Sequence, residues 1–417
     1  NGDIIPLANL SIGAHGFAGF SPQQAGTWKR KNYAVYVDAE ADITENFTLG
    51  AAVRFEDFDD FGTTTNGKIA ARLAFTETFA VRGSVSTGFR APTPGQSNVT
   101  KVSTTTIDGE LQQRDQIPPT NQIAMALGAE QLEPEDATNF TFGAVWDVTD
   151  RLNVTVDYYN IELTDRIAQT GTIVISDFNS TDPQFAGINC PNTKAAMGDL
   201  SLCLQETGIP GAADLNSVSF YTNDFETTTQ GVDIVATWAL PYSGDHSGDL
   251  TFAWNWTETE VDNAGEEVDR NRVVDLENFN PQHRGVITYQ HYIGDFRFLA
   301  RASYYDDWVN ADFSDDATPA GANGAGYTIS CVIGDDDCYD AEWIFDLEAG
   351  YSFTDNWSVV IGAMNIADEF GPFDKENLDA NGNFDLNTIG SGNTYAQSTP
   401  FGQDGGFWYL RVRADFD

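Results

Sequence analysis

From Tyr33 the chain sets an apolar residue at every second position, Tyr33, Val35, Val37, Ala39, Ala41 and Ile43, with Asp38, Glu40 and Asp42 between them. Such alternation makes a strand with one apolar and one polar face. It recurs along almost the whole chain. Phe47, Leu49, Ala51, Val53 and Phe55 alternate with Thr48, Gly50, Arg54 and Glu56, and Ile69, Ala71, Leu73 and Phe75 alternate with Lys68 and Arg72. Phe79, Val81 and Val85 are set against Arg82, Ser84 and Ser86. Further runs begin at Phe140, Leu152, Val232, Leu250, Phe296, Trp343, Trp357 and Trp408, and a less regular one covers 284–292. The count is about thirteen strands, many near the roughly 9–11 residues that cross a bilayer at a tilt. No amphipathic helix pattern competes. The fold class is therefore all-β.

The joints between runs fall into two alternating kinds. Thr44-Glu45-Asn46-Phe47, Thr76-Glu77-Thr78-Phe79, Thr149-Asp150-Arg151-Leu152 and Thr354-Asp355-Asn356-Trp357 are tight turns of one repeated form, and those around Gly244 and Gly294 are also short. Between them lie a short link near Thr63 and the long connections 90–136, 166–226, 258–282, 307–341 and 367–405. Short turns on one rim and long loops on the other are the rule for transmembrane antiparallel β-barrels of the bacterial outer membrane. Composition agrees with this. No apolar run approaches the roughly 20 residues of a membrane-spanning helix. The mean hydropathy of -0.32 suits strands that alternate. Aromatics at 12% exclude a disordered acidic chain, and 63 acidic against 21 basic residues, net charge -42, exclude nucleic acid as a partner.

Strand parity adds an expectation. If the turn at Thr44 is periplasmic, the first and the thirteenth strands both run towards the periplasm. A closed antiparallel bacterial barrel has an even count. The chain, which begins at Asn1 without Met or signal peptide, then reads as the later part of a larger barrel. Residues 1–31 would be the remnant of an extracellular loop and 32–417 the C-terminal portion of the wall. The alternative is that Ile4–Phe20 supplies a fourteenth strand and the chain closes by itself.

The four cysteines form two close pairs, Cys190 with Cys203 and Cys331 with Cys338, in segments dense in Gly, Asn, Asp and Pro. Neither pair has zinc-knuckle spacing, and His15, His246, His283 and His291 are scattered. Two local disulfides in an oxidising compartment are expected, each stapling one long outer loop, and no metal site.

Several segments resemble one family, the TonB-dependent outer-membrane receptors. Thr87-Gly88-Phe89-Arg90-Ala91-Pro92 is similar to the Gly-Phe-Arg-Ala-Pro segment at the top of one of their strands. Leu132-Glu133-Pro134-Glu135, followed by Asn139 and Gly143, resembles the start of the next. Asp157-Tyr158-Tyr159-Asn160-Ile161 with Asp165-Arg166-Ile167 resembles the strand after that. Gly231-Val232-Asp233 and Asn365-Ile366-Ala367-Asp368 match later signatures, with Ala367 in place of the usual Phe. The last strand ends near Phe416 with one Asp beyond it, resembling a barrel-assembly signal. The resemblance runs from about residue 31 to the end. It implies the last thirteen strands of a 22-stranded barrel. It also implies a plug domain and TonB-contacting segment with no counterpart here.

On this reading Trp146, Tyr158, Trp238, Trp256, Tyr304, Trp343 and Trp357 sit at the lipid–water interfaces. Val53, Leu73, Val81, Val156, Ile234, Phe298, Ile361 and Val412 face lipid. Arg54, Lys68, Arg72, Arg82, Asp233 and Arg301 face a lumen. No catalytic motif is present, so the chain is read as no enzyme and without a cofactor. Asp379-Ala380-Asn381-Gly382-Asn383-Phe384-Asp385 has oxygens at calcium-loop spacing but lacks the sixth-position Gly and closing Glu, and Asp335-Asp336-Asp337 reads as a solvated loop tip.

Two function classes follow. One is an energised importer of a scarce nutrient, an iron chelate, vitamin-like compound or oligosaccharide. Its partners would be outer-membrane lipid, the TonB complex through the plug, and a small-molecule ligand first met by loops 90–136, 166–226 and 307–341. Their acidity favours cationic or metal-bearing ligands only weakly, because salt screens it. The other class is a passive 14-stranded channel or structural barrel.

Overall fold

The computed structural model describes residues 13–14, 17–18, 26–107, 110–171, 173–174, 217–264, 270–311, 329, 331, 337–374, 378, 394–396 and 398–415. Thirteen strands form one antiparallel sheet. They are β1 Asn32–Thr44, β2 Phe47–Phe58, β3 Gly62–Ala74, β4 Phe79–Arg90, β5 Glu135–Thr149, β6 Leu152–Gln169 and β7 Tyr221–Ala239. β8 His246–Ala264, β9 His283–Ile293, β10 Phe296–Tyr305, β11 Glu342–Thr354, β12 Trp357–Met364 and β13 Phe407–Ala414 complete it. Every strand pairs with its neighbours in sequence, so the sheet is an up-and-down meander with β1 and β13 at its two edges. Of Ile4–Phe20, the described residues pair only with each other, Gly13–Ala14 against Phe17–Ala18, apart from the large sheet.

The repeated Thr turn has a local cause. The Thr44 hydroxyl accepts the Asn46 N–H at 3.3 Å, and that of Thr76 accepts the Thr78 N–H at 3.2 Å. Thr149 accepts from Arg151 and Leu152, and Thr354 from Asn356 and Trp357. A hydroxyl that satisfies the N–H two residues on closes the turn without help from the rest of the fold.

Register sorts the residues into faces. One row runs Phe47, Leu73, Val81, Ala144, Val156, Ile234, Trp254, Gly285, Tyr304, Trp343 across β2–β11. The next row along the strands runs Thr48, Arg72, Arg82, Gly143, Asp157, Asp233, Asn255, Arg284, Tyr305, Glu342. All eight expected apolar positions share the first face, and Arg54, Arg72, Arg82 and Asp233 share the second. On the apolar face Val53, Phe142, Val156, Ile361 and Leu410 are exposed. An apolar face spread over thirteen strands far exceeds the few hundred Å² of patch a soluble monomer shows. Only a bilayer satisfies it.

Tyr158 and Trp256 stand mid-strand, because β6, β7 and β8 have 18, 19 and 19 residues. These two aromatics share a row through Val232. Beyond it the same face turns polar, with Gln230 bonded to Glu258 at 3.2 Å and Thr228 to Asp262 at 2.6 Å. The aromatics mark where the apolar belt stops, and the strands continue past it.

The long connections also carry structure of their own. They hold α1 Pro94–Asn98, α2 Gln122–Ala126, α3 Arg270–Asn278 and short strand pairs, including Ser217–Ser219 parallel to Arg114–Gln116. α3 escapes a periodicity search because its adjacent Val273 and Val274 are both fully buried, in different clusters. Val273 meets Phe225 and Val261, and Val274 meets Val309 and Ala311.

Cys331 and Cys338 are joined as expected, with Cα atoms 5.3 Å apart, whereas Cys190, Cys203 and the segment 379–385 lie outside the described residues. Opening the Cys331–Cys338 bond by a double Ser substitution should cost about 2 kcal/mol of local stability. The check is amide exchange at Val309, which pairs with Cys338. An unchanged rate would count against the staple.

Candidate functional site

The polar face is laced by charge pairs, two of which reach past a neighbouring strand. Arg82 on β4 holds Asp157 on β6 through two bonds of 2.9 and 2.7 Å. The residue between them in the row is Gly143, whose added Cβ would stand 1.9 Å from an Asp157 oxygen. Without a side chain there, the guanidinium can cross β5. Asp233 accepts from Asn255 at 2.8 Å, and Arg54 pairs with Glu56. Towards the short-turn rim, Glu348 is shared by Arg297, Arg411 and Tyr409 beside a hollow of about 910 Å³. Arg301 lies 3.7 Å from Asp346.

At the long-loop rim three of the family-like segments converge on one carboxylate. Arg90 at the end of β4 grips Glu135 at the start of β5 through both oxygens, and Glu135 also accepts the Ile167 N–H at 2.7 Å. The Glu135 side chain is only 6% exposed, so this charge-assisted cluster keeps it satisfied away from water. Asn223 ties the same region by accepting the Glu133 N–H at 2.9 Å and donating to the Glu133 and Asp165 carbonyls. Asp165 has φ of 53°, at the break in register that follows Leu163. Replacing Glu135 by Gln keeps the shape and removes the charge. It should cost about 1–3 kcal/mol, towards the lower end because Arg90 is partly solvated. The readout is faster amide exchange at Ile167. No change there would mean that the cluster does not hold the strands together.

Loop 90–136 is folded beside this cluster. Thr93 caps α1 with a reciprocal Gln96 bond, and Ile117, Ile123, Leu127 and Leu132 are buried. With the segment before β1 it encloses a hollow of about 410 Å³ that includes Trp28, Lys29, Arg30, Phe61, Pro92 and Gln131. Arg30 pairs with Asp60 at 2.6 Å and lies over Phe61, 5.2 Å from its centroid, and Phe58. The hollow joins cations, aromatic faces and amides. No stretch of sequence marks it, because its residues come from five separate segments. Of loops 166–226 and 307–341 only parts are described, among them Trp308–Asn310 paired with Asp337–Tyr339. Among the described residues no group of three or more His, Cys, Asp or Glu is arranged to hold a metal. No described helix is long and apolar enough to span a membrane, which leaves strands unaddressed.

A family model described as "TonB dependent receptor-like, beta-barrel" matches residues 6–366. Among solved structures, a mutant of the ferric enterobactin receptor PfeA of Pseudomonas aeruginosa is 14% identical with a TM-score of 0.58, over 99% of this chain and 49% of that one. The siderophore receptor PirA of Acinetobacter baumannii is 13% identical with a TM-score of 0.57, over 93% and 46%. The ferripyoverdine receptor of the Pseudomonas aeruginosa outer membrane is 13% identical with a TM-score of 0.51, over 93% and 39%. At such identities the likeness concerns the fold, and the chain spans half or less of each receptor's length. No curated protein matches it by sequence. With the family pattern running through most of the chain and a meander that separates an apolar from a charged face, the chain belongs to the TonB-dependent receptor β-barrel family.

Proposed function

We propose that this outer-membrane chain forms thirteen wall strands of an energised importer whose cargo is iron held by a siderophore. The carrying observation is the hollow at the long-loop rim. Lys29 suits an anionic chelate and the exposed Trp28 offers a face to a planar ring, while Arg30, held by Asp60, and Phe61, stacked on Phe58, form the wall beside them. The relatives of like fold are receptors for ferric enterobactin and ferripyoverdine by name, which favours iron among the nutrients. In this reading residues 1–31 belong to an outer loop and 32–417 to the C-terminal part of a 22-stranded wall. Further strands pair with the edges of β1 and β13, since unpaired edges are costly in lipid. A plug domain outside this sequence lies against the charged face and passes the TonB signal.

The test is uptake of radiolabelled ferric siderophores by cells that carry or lack the whole protein, with and without TonB. Accumulation should require the protein, TonB and an energised inner membrane. Ion conduction by this chain alone, closed as a 14-stranded pore and needing no energy source, would sink the importer and promote the passive channel.

A further inference from the structure

His246 opens β8 and His291 lies two residues before the end of β9. The register sets His246 opposite Ile293 and Gly248 opposite His291, so the two rings are diagonal neighbours on the apolar face, at its short-turn rim. His246 Nδ1 and His291 Nε2 are hydrogen-bonded at 3.3 Å. The other His291 nitrogen, Nδ1, is 3.1 Å from the Tyr289 hydroxyl, which is 2.7 Å from the Tyr242 hydroxyl. Tyr242 arrives from the turn between β7 and β8 and sets its ring edge-on to His291, with centroids 4.5 Å apart. Gly248 makes the room. A Cβ there would stand 3.1 Å from His291 Nδ1, 3.2 Å from the Tyr242 ring and 2.6 Å from the Gln290 carbonyl. Three segments thus hold two imidazoles at a fixed spacing and fix the orientation of one.

We propose that His246 and His291 form a chelating site for a divalent transition-metal ion such as Zn(II), on the outward face of the periplasmic rim. Two nitrogens bound at about 2.0–2.1 Å to a tetrahedral ion lie about 3.3–3.4 Å apart, the separation already present between His246 Nδ1 and His291 Nε2. Imidazole is a preferred ligand of Zn, Cu and Ni, and a second-shell acceptor on the far nitrogen orients such rings. Here that acceptor is the Tyr289 hydroxyl, which takes the His291 Nδ1–H and leaves Nε2 as the ligand. Binding needs no net proton loss from the neutral pair. In the metal-free pair His246 Nδ1–H donates to His291 Nε2; on binding, that proton moves to His246 Nε2, so that Nδ1 also presents a lone pair to the ion. Water fills the remaining positions. The site is independent of siderophore recognition at the opposite rim.

The experiment is calorimetric titration of Zn(II) into the whole protein purified from outer membranes and freed of metal with a chelator. One saturable site is expected. It should be lost in His246→Ala and in His291→Ala, weakened about tenfold in Tyr289→Phe, and kept in His283→Ala. The unsubstituted protein gives a second readout that does not depend on any variant folding. Cu(II) bound there should show two nitrogen ligands by electron paramagnetic resonance. Oxygen-only coordination, or Zn(II) binding that survives loss of both histidines, would overturn the assignment.

Discussion

Replacing Trp308 by Ala is expected to remove about 3–5 kcal/mol from the packing of the long-loop rim. Trp308 is 2% exposed, stacks on Tyr339 with centroids 5.3 Å apart, and presents an edge to Phe401. Its indole N–H donates to the Ser398 hydroxyl at 3.3 Å, so truncation leaves both a cavity and an unpaired hydroxyl. Ala396 completes this cluster. The loss should be local, since the cluster joins loops rather than wall strands. Amide exchange should quicken at 337–339 and 394–401 while β5–β8 keep their protection. A change below about 1 kcal/mol would show that these loops are held by something other than this core.

Val156→Arg should cost about 2–4 kcal/mol of barrel stability, a factor of roughly 30 to 900 in the folded population. Val156 is midway along the run Leu152, Val154, Val156, Tyr158, on the face that meets lipid. Its row neighbours are Ala144 and Ile234. A guanidinium there has neither water nor a counter-ion. Thr155→Arg is the control. Thr155 belongs to the charged face, next to Val145 and Val235 in its row, where an Arg can reach water. Refolding into lipid vesicles under denaturant measures both. Equal costs for the two substitutions would overturn the assignment of faces.

Much of the wall could be read from the sequence. Strand positions, both faces and the four Thr turns follow from residues within two or three positions of each other, and steric alternation and a hydroxyl's short reach are local. The outer rim was less legible. α3 buries neighbouring valines in separate clusters, which no helical period shows. β6–β8 run past the belt because polar pairs such as Gln230–Glu258 continue the ladder after the apolar residues stop. The family-like segments around Arg90, Glu135 and Ile167 could be recognised singly, yet nothing in them says that they share one carboxylate.

The sequence by itself determined that this chain is a meander of strands with one lipid-facing side and turns of two kinds. The tertiary structure alone decided which distant residues meet. Arg82 finds Asp157 across 75 positions, His246 finds His291 across 45, and Arg30 reaches the Pro92 carbonyl across 62. Each of these contacts depends on strand register or on how a long connection packs. Register is fixed by the sum of pairing along both strands and by the length of the joint between them, and a slip of one residue would move every such side chain to the other face. No local window of sequence contains that sum.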